Sequence, residues 1–534
     1  MINLARVKRG MYFDSITLMG VARSLGQLTG VAETAALMAT PSNLQLLADA
    51  GLLPFESAAG TYQGTDTLIV VRADTKAHAE AALDVAEAQL LSERRTEHPP
   101  GRETSQMRQA RSLEEAARLQ PQARVALISV PGSYAAIEAQ QALRADLHVF
   151  LFSDHVSLAD EVSLKRLGSE RGLLVMGPDC GTARLNGVGL GFVNVVPDGP
   201  VGIVGASGTG MQQVMCLLAH NGHGISQAIG CGGRDLSAAV GGITTLQGLR
   251  MLQEDEATQV IVLISKPPAP AVAETVLHAA GESEKPVVVI FPGSDPAGWQ
   301  NRSATNISFA RTLAEAARLA STLCTHNAAS PAPQATTQPQ VPLATVAPSA
   351  GLTDHPGQPL YLAALFSGGT LCSEALHLWG TQSGPIYSNI ALNPAWRWHR
   401  NAIRQGHYAL DLGADEYTHG RPHPMIDPEA RLTYLRQATS DAGTRVILLD
   451  VILGYCAHPD PAAIYAPLIE QGLQQAARNR RQLSYIISLC GTEADPQQLS
   501  RQLARLRLAG AEVYTSNAEA ALRCLELLPD QGAG

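Results

Sequence analysis

Little in this sequence points to a membrane, a nucleic acid or an oxidising compartment. Aromatic residues make up only 4% of the 534, and the formal net charge is −9. An acidic chain poor in aromatics offers no basic, stacking surface for a polynucleotide. No apolar run approaches the roughly 20 residues a membrane helix needs. The opening, Met1-Ile-Asn-Leu-Ala-Arg-Val-Lys-Arg-Gly10, lacks the apolar stretch of a signal peptide, so a cytoplasmic protein is expected. The eight cysteines (Cys180, Cys216, Cys231, Cys324, Cys372, Cys456, Cys490 and Cys524) include no Cys-x-x-Cys pair. They read as free thiols of a reducing compartment, and no metal site is expected.

What is present is a soluble composition, 45% hydrophobic, over a length that requires several cores. Short apolar runs alternate with helical segments, which predicts an α/β protein of several doubly wound parallel-sheet domains, Rossmann- or flavodoxin-like. The expected divisions are a small α/β domain at 1–92, a charged linker at 93–110, a Rossmann-like domain at 111–196 and a flavodoxin-like domain at 197–324. A Pro/Ala-rich linker follows at 325–359, then a second flavodoxin-like domain at 360–534.

The most informative stretch begins at residue 201. An apolar run ends in Gly205-Ala-Ser-Gly-Thr-Gly210, and good helix formers follow as far as His220-Asn-Gly222. Strand, small-residue turn and helix place free N–H groups and the positive end of a helix dipole at the carboxyl edge of a sheet. Such a site suits an anion, most naturally phosphate. Ser207, Gly208, Thr209 and Gly210 are the candidate contacts, with Gly208 expected to need a left-handed backbone. The competing reading is that Ser207 and Thr209 only form the turn.

Gly177-Pro-Asp-Cys-Gly181, Val204-Gly-Ala-Ser-Gly-Thr209 and Gly230-Cys-Gly-Gly-Arg-Asp235 follow one another in an order that resembles the α subunit of succinyl-CoA synthetase. Ala409-Leu-Asp-Leu-Gly413 and Leu448-Leu-Asp-Val451 are similar to the carboxy-terminal domain of that enzyme's β subunit. More closely, Phe13-Asp-Ser-Ile-Thr-Leu-Met19, Gly232-Gly-Arg-Asp-Leu236, Lys266-Pro-Pro-Ala269 and Gly420-Arg-Pro-His-Pro-Met-Ile-Asp-Pro428 resemble the FdrA family over nearly the whole chain. The resemblance implies a CoA-binding-type domain at 111–196, a synthetase α-type domain at 197–324 and a β-carboxy-terminal-type domain at 360–534. It leaves no room for an ATP-grasp domain. The synthetase's phosphorylated histidine has no counterpart, since residues 292–323 contain no histidine. Its acidic partner is replaced by Lys266.

FdrA-type proteins are linked to oxamate carbamoyltransferase, so the resemblance implies a chain that splits an oxalurate-like ureido acid with phosphate into carbamoyl phosphate and an amide acid such as oxamate. Phosphate would be a co-substrate, with no required cofactor and CoA as an open option. The implied partners are a homodimer mate and carbamoyltransferase subunits encoded nearby, with no nucleic acid and no membrane. Lys266, Arg421, His423 and Asp235 are the candidate catalytic residues, and Gly232, Gly233 and Arg234 join the phosphate and substrate contacts. Lys266 steadies developing oxyanion charge, or is a strand-end lysine in water. Arg421 grips a carboxylate bidentately from a proline-locked segment. His423 protonates a leaving nitrogen, or caps a helix; Arg234 and Asp235 act on substrate, or pair with each other. Cys180 reads as a packed thiol. Two other functions stand beside the first: an acyl-CoA ligase subunit with a separate ATP-grasp partner, and a non-catalytic scaffold binding acyl-CoA or phosphate.

Overall fold

A computed structural model describes residues 1–11, 13, 15–52, 62–97, 110, 112–292, 299, 304–327, 360–380, 384–391, 393–398, 406–418 and 422–528. The chain forms two units, residues 1–109 and 110–534. The first contains β1 (Ile2–Lys8), α1 (Ser15–Leu25), β2 (Val31–Met38), α2 (Pro41–Asp49), β3 (Thr67–Ala73) and α3 (Lys76–Glu97). Its sheet has the order β1-β3-β2 and is antiparallel throughout. The buried run Leu68–Val71 of β3 forms the centre. Thr40 starts α2 by accepting the N–H of Asn43, with Pro41 at the first helical position. Helix α3 continues to Glu97, into the stretch 93–110 expected as a linker.

The second unit opens with α4 (Leu113–Leu119), β4 (Val125–Ile128), α5 (Gly132–Arg144), β5 (His148–Leu151), α6 (Leu158–Glu170) and β6 (Val175–Met176). These strands make a parallel sheet in the order β4-β5-β6. A hairpin, β7 (Thr182–Leu185) and β8 (Val188–Gly191), turns at Asn186-Gly187, both with positive φ, which is the chemistry a tight hairpin needs. The hairpin belongs to the next sheet, antiparallel to β10.

That sheet adds β9 (Asp198–Ala206), α7 (Gly208–His220), β10 (Ile225–Gly230), α8 (Ile243–Glu254), β11 (Val260–Ser265), α9 (Pro270–Gly281), β12 (Val287–Ile290), β13 (Ile307–Ala310) and α10 (Leu313–Asn327). Its order is β13-β12-β11-β9-β10-β7-β8. The third sheet comprises β14 (Tyr361–Phe366), α11 (Gly369–Trp379), β15 (Ile386–Tyr387), β16 (His407–Asp411), α12 (Asp415–Thr418), α13 (Glu429–Ser440), β17 (Thr444–Ile452), α14 (Pro461–Arg478), β18 (Ser484–Cys490), α15 (Leu499–Leu508), β19 (Glu512–Tyr514) and α16 (Asn517–Glu526). It is parallel throughout, in the order β15-β16-β14-β17-β18-β19.

Two features of this topology position the site. Strand β9 pairs with β10 on one side and β11 on the other, and β14 pairs likewise with β16 and β17. Each is therefore a topological switch point, where the connections leave in opposite directions and open a crevice at the strand's carboxyl end. Helices α7 and α11 start at those two ends. Moreover, one hydrophobic core runs between the sheets, containing Val214, Met215 and Leu218 of α7, Ala316 and Ala320 of α10, Leu371 and Trp379 of α11, and Ala520 of α16. The buried Glu374 of α11 accepts the N–H of Leu313 at 2.6 Å and the amide of Asn517 at 2.8 Å. Four helices are thus fixed together, and the starts of α7 and α11 meet. Among the described residues no helix is long and apolar enough to cross a membrane.

Candidate functional site

Helix α7 begins at Ser207, whose Oγ accepts the N–H of Gly210 at 3.2 Å. The same hydroxyl lies 2.7 Å from the hydroxyl of Thr370 in the first turn of α11. A side chain placed on Gly368 would meet Oγ1 of Thr209 at 2.5 Å, so the two helix starts touch across the sheets. Gly210 has the same reason to be glycine: a Cβ there would lie 2.3 Å from Ser207 Oγ. The expectation for Gly208 is corrected. It is the first residue of α7 with no positive φ, and a Cβ would meet only Thr182 Oγ1, at 3.3 Å. The turn is tight because of what packs on it, not because of a left-handed residue.

The loop that starts α11 is held from below by Asp450 of β17. Its carboxylate accepts the N–H groups of Ser367 and Gly368 and the hydroxyl of Ser367, and pairs with Arg431 at 2.8 Å. All of this is buried. The N–H groups at the start of α11 are thereby aimed in one direction with little freedom.

Asp411 stands at the carboxyl end of β16, beside that helix start. It is 5% exposed, and among the described residues its carboxylate accepts one hydrogen bond, on Oδ1 from the N–H of Gly413 at 3.1 Å. A Cβ on Gly369 would meet Asp411 Oδ2 at 2.6 Å and Lys266 Nζ at 3.1 Å, so carboxylate and ammonium flank the first turn of α11 together. Burial pushes the Asp411 carboxyl up to about 6, partly opposed by the charge of Lys266. Lys266 itself follows β11 and is exposed. Asp179 comes to the same place from the turn after β6, with a left-handed φ of 53°. Its carboxylate is open to solvent yet crowded by protein. Desolvation pushes it up to about 6 against the pull of Lys266, while Asp415, Asp154 and Asp411 push the same way as burial.

The candidate residues divide clearly. Ser207, Gly208, Thr209, Gly210 and Lys266 meet at this crevice. Gly232 and Gly233 form its wall: Gly232 has φ 83° and a Cβ there would meet Pro178 O at 2.4 Å, while a Cβ on Gly233 would lie 3.6 Å from Asp179 Oδ2. Arg234 and Asp235 do not pair with each other. Arg234 donates to Glu161 at 2.9 Å and to Val156 O. Asp235 is fully buried, 2.6 Å from Lys165 Nζ, and accepts from the N–H groups of Thr244 and Thr245 and the Thr245 hydroxyl. Burial alone would lower the Lys165 ammonium, but Asp235 and Glu161 outweigh it and raise it above its usual range. Asp235, expected to act on substrate, therefore has its oxygens engaged in joining α6 to the turn that leads into α8.

His423 packs its ring 5.5 Å from that of Phe192 and accepts the N–H of Met425 on Nδ1. Burial, with Arg431 nearby, lowers it to about 4, so the ring is neutral at neutral pH with its proton on Nε2. It faces Gly413; an imidazolium donor is not available there. Arg421 lies outside the described residues. Cys180 is 2% exposed with its thiol pushed up to about 12 by burial, a packed thiol as expected. Sequence reasoning missed Asp411, Asp179 and Thr370. The first two were marked by position, since each follows an apolar strand at a carboxyl edge.

Parts of the chain match known proteins. Family models match a CoA binding domain at residues 197–293, a CoA-ligase at 365–525, and "AllF, heavy metal-associated domain" at 1–108. The residues of that last region do not fit a heavy metal. They contain no cysteine, and no group of three metal-ligating side chains occurs among the described residues. The α subunit of the ADP-forming succinate–CoA ligase of Staphylococcus aureus is 30% identical over 175 residues, which are 32% of this chain and 57% of that protein. Two solved structures resemble the fold at low TM-score. One is a dinucleotide-forming acetyl-coenzyme A synthetase of Ca. Korarchaeum cryptofilum (14% identity, 76% of this chain, 83% of that one, TM-score 0.31). The other is an ATP citrate lyase of Methanosaeta concilii (15% identity, 40% of each chain, TM-score 0.33). The uncharacterized protein YahF of Escherichia coli K12 is 38% identical over 526 residues, 98% of each chain. This chain belongs to the family of YahF, an α/β family that joins a CoA-binding domain to a CoA-ligase domain.

Proposed function

We propose that this chain is an acyl-transferring subunit of the CoA-ligase type, in which a phosphate bound where α7 and α11 meet exchanges with the acyl group's other partner. The observation that carries the reading is the meeting itself: two helix N-termini from two switch points, in contact through Ser207 and Thr370, beside the exposed Lys266. The N–H groups of two first turns and the positive ends of two helix dipoles favour an oxyanion there. The reaction needs no nucleotide. A phosphate oxygen attacks the acyl carbonyl carbon, the bond from that carbon to its original partner breaks, and the partner leaves with the proton given up by phosphate. Lys266 steadies the oxyanion of the tetrahedral intermediate. No phosphohistidine takes part, because residues 292–323 hold no histidine.

A finer reading makes the chain a member of the FdrA family and the acyl group a carbamoyl group, transferred from a ureido acid in a complex with further subunits. The change of an acidic residue to Lys266 favours it, because an ammonium suits an oxyanion and not an imidazole. Exchange of labelled phosphate into acyl phosphates tests both readings, with the chain assayed alone and with its neighbouring-gene products. Label in carbamoyl phosphate alone supports the finer reading. Label in acetyl or succinyl phosphate, with CoA-dependent release, supports the broader ligase-type one. No exchange with any of them, partners present, removes the enzymatic proposal.

A further inference from the structure

Asp450 and Asp411 are both buried carboxylates beneath the start of α11, yet they differ in what they touch. Asp450 accepts from two N–H groups and a hydroxyl and pairs with Arg431. Asp411, 5% exposed, leaves Oδ2 without a hydrogen bond among the described residues, and that oxygen is the one turned toward Gly369 at the helix start. An oxygen with no hydrogen bond among the described residues, on a side chain only 5% exposed and turned toward the first residue of α11, is positioned for something that comes from outside the chain. It faces Lys266 after β11, Asp450 in β17, Glu416 in α12, Cys372 in α11, Asp179 after β6, and the neutral His423 across Gly413. Lys266 is the one cation among these groups, and Arg431 is already paired with Asp450.

An oxyanion arriving at this place brings like charge against Oδ2. Two anions in contact, sharing one ammonium, cannot both stay ionised without a large repulsion, and the weaker acid takes a proton. Resting on the oxyanion site proposed above, we propose that Asp411 is a ligand-contacting residue that takes up a proton when the anion binds and donates its O–H to a ligand oxygen. Its carboxyl already stands at about 6 in the free chain, so little further displacement is needed at neutral pH. Proton and anion then enter together, and the acid is in place to relay a proton, passing its own to the leaving group as it takes the one that phosphate gives up.

Sulfate is the probe, since unlike phosphate it does not titrate near neutrality. Calorimetry of the full chain with sulfate at neutral pH, in buffers of different ionisation enthalpy, should show uptake of about one proton per sulfate bound. Affinity should weaken by about tenfold per pH unit between about pH 6 and 8. Asp411→Asn, whose amide still donates, should bind sulfate with uptake near zero and a flat pH profile; Asp411→Ser keeps a donor if the amide variant fails to fold. Asp179→Asn should retain the uptake. Sulfate bound with no proton uptake by the unaltered chain would overturn this inference while leaving the site intact. Uptake that survives in the Asp411 variants and disappears in Asp179→Asn would overturn it too. No sulfate binding at all would remove both the inference and the site beneath it.

Discussion

At the scale of single residues, the crevice is built from charges the fold does not favour. The Asp411 carboxyl is pushed up to about 6 by burial, so the folded chain prefers its neutral form. Stability from this group is complete below the ordinary carboxylate range and is lost as pH rises through about 6. Asp411→Asn should therefore stabilise the chain at pH 8 by about 1–3 kcal/mol, and leave it unchanged at pH 4. Denaturant unfolding at both pH values checks this, and equal stability of the two forms at pH 8 would contradict it. A group kept at such a cost is the mark of a site and not of a core. Lys165 is the opposite case. With Asp235 and Glu161 it is fully buried, at 2.6 and 3.0 Å. Lys165→Met would leave two carboxylates without their ammonium, at a cost of about 3–5 kcal/mol, readable in the same unfolding experiment.

At the scale of elements, what decides the site is how closely α7 and α11 approach. A Cβ on Gly368 would meet Thr209 within 2.5 Å, so Gly368→Val should force the two starts apart. It should weaken sulfate binding more than tenfold while leaving the far-ultraviolet spectrum unchanged; retained affinity would mean the contact is incidental. Gly208→Ala, with only Thr182 Oγ1 near at 3.3 Å, should weaken binding far less. The α7 turn was legible in the sequence because strand, glycine-rich turn and helix are contiguous there. The matching turn, Ser367-Gly-Gly-Thr370 between β14 and α11, is equally contiguous; what the sequence did not show is that Thr370, Asp411 and Asp179 meet, since they come from three separate segments joined only through sheet order. Strand β1 was missed for a different reason. Its Arg6 and Lys8 break any apolar run, yet they pair with Asp84 and Glu87 of α3, so a charged strand can lie beside a helix. The βα rhythm of both large sheets was legible, since buried parallel strands announce themselves as short apolar runs.

At the scale of the whole molecule, residues 197–324 and 360–528 share one core, and the site exists only while they do. Trp379, fully buried in that core, donates to Ala521 O at 2.8 Å, and Trp379→Ala should cost about 3–5 kcal/mol. The resemblance to the synthetase was read from turns; family models match a CoA-ligase at 365–525 and a CoA binding domain at 197–293, where the resemblance had implied a CoA-binding-type domain at 111–196. The small domain ahead of them was expected at 1–92; what the sequence reading did not foresee was its match to a heavy-metal-associated model, which brings no thiolate. Incubation with γ-labelled ATP should leave no stoichiometric acid-labile phosphate, for want of a histidine in residues 292–323. The central claim is that two helix starts from two sheets form one oxyanion site. Crystals soaked in selenate, whose anomalous signal locates a bound anion without assumption, test it most directly. The account predicts one peak between Ser207–Gly210 and Gly369–Leu371, within reach of Lys266 and Asp411. Selenate bound elsewhere with that crevice empty, at concentrations that saturate binding in solution, would contradict it.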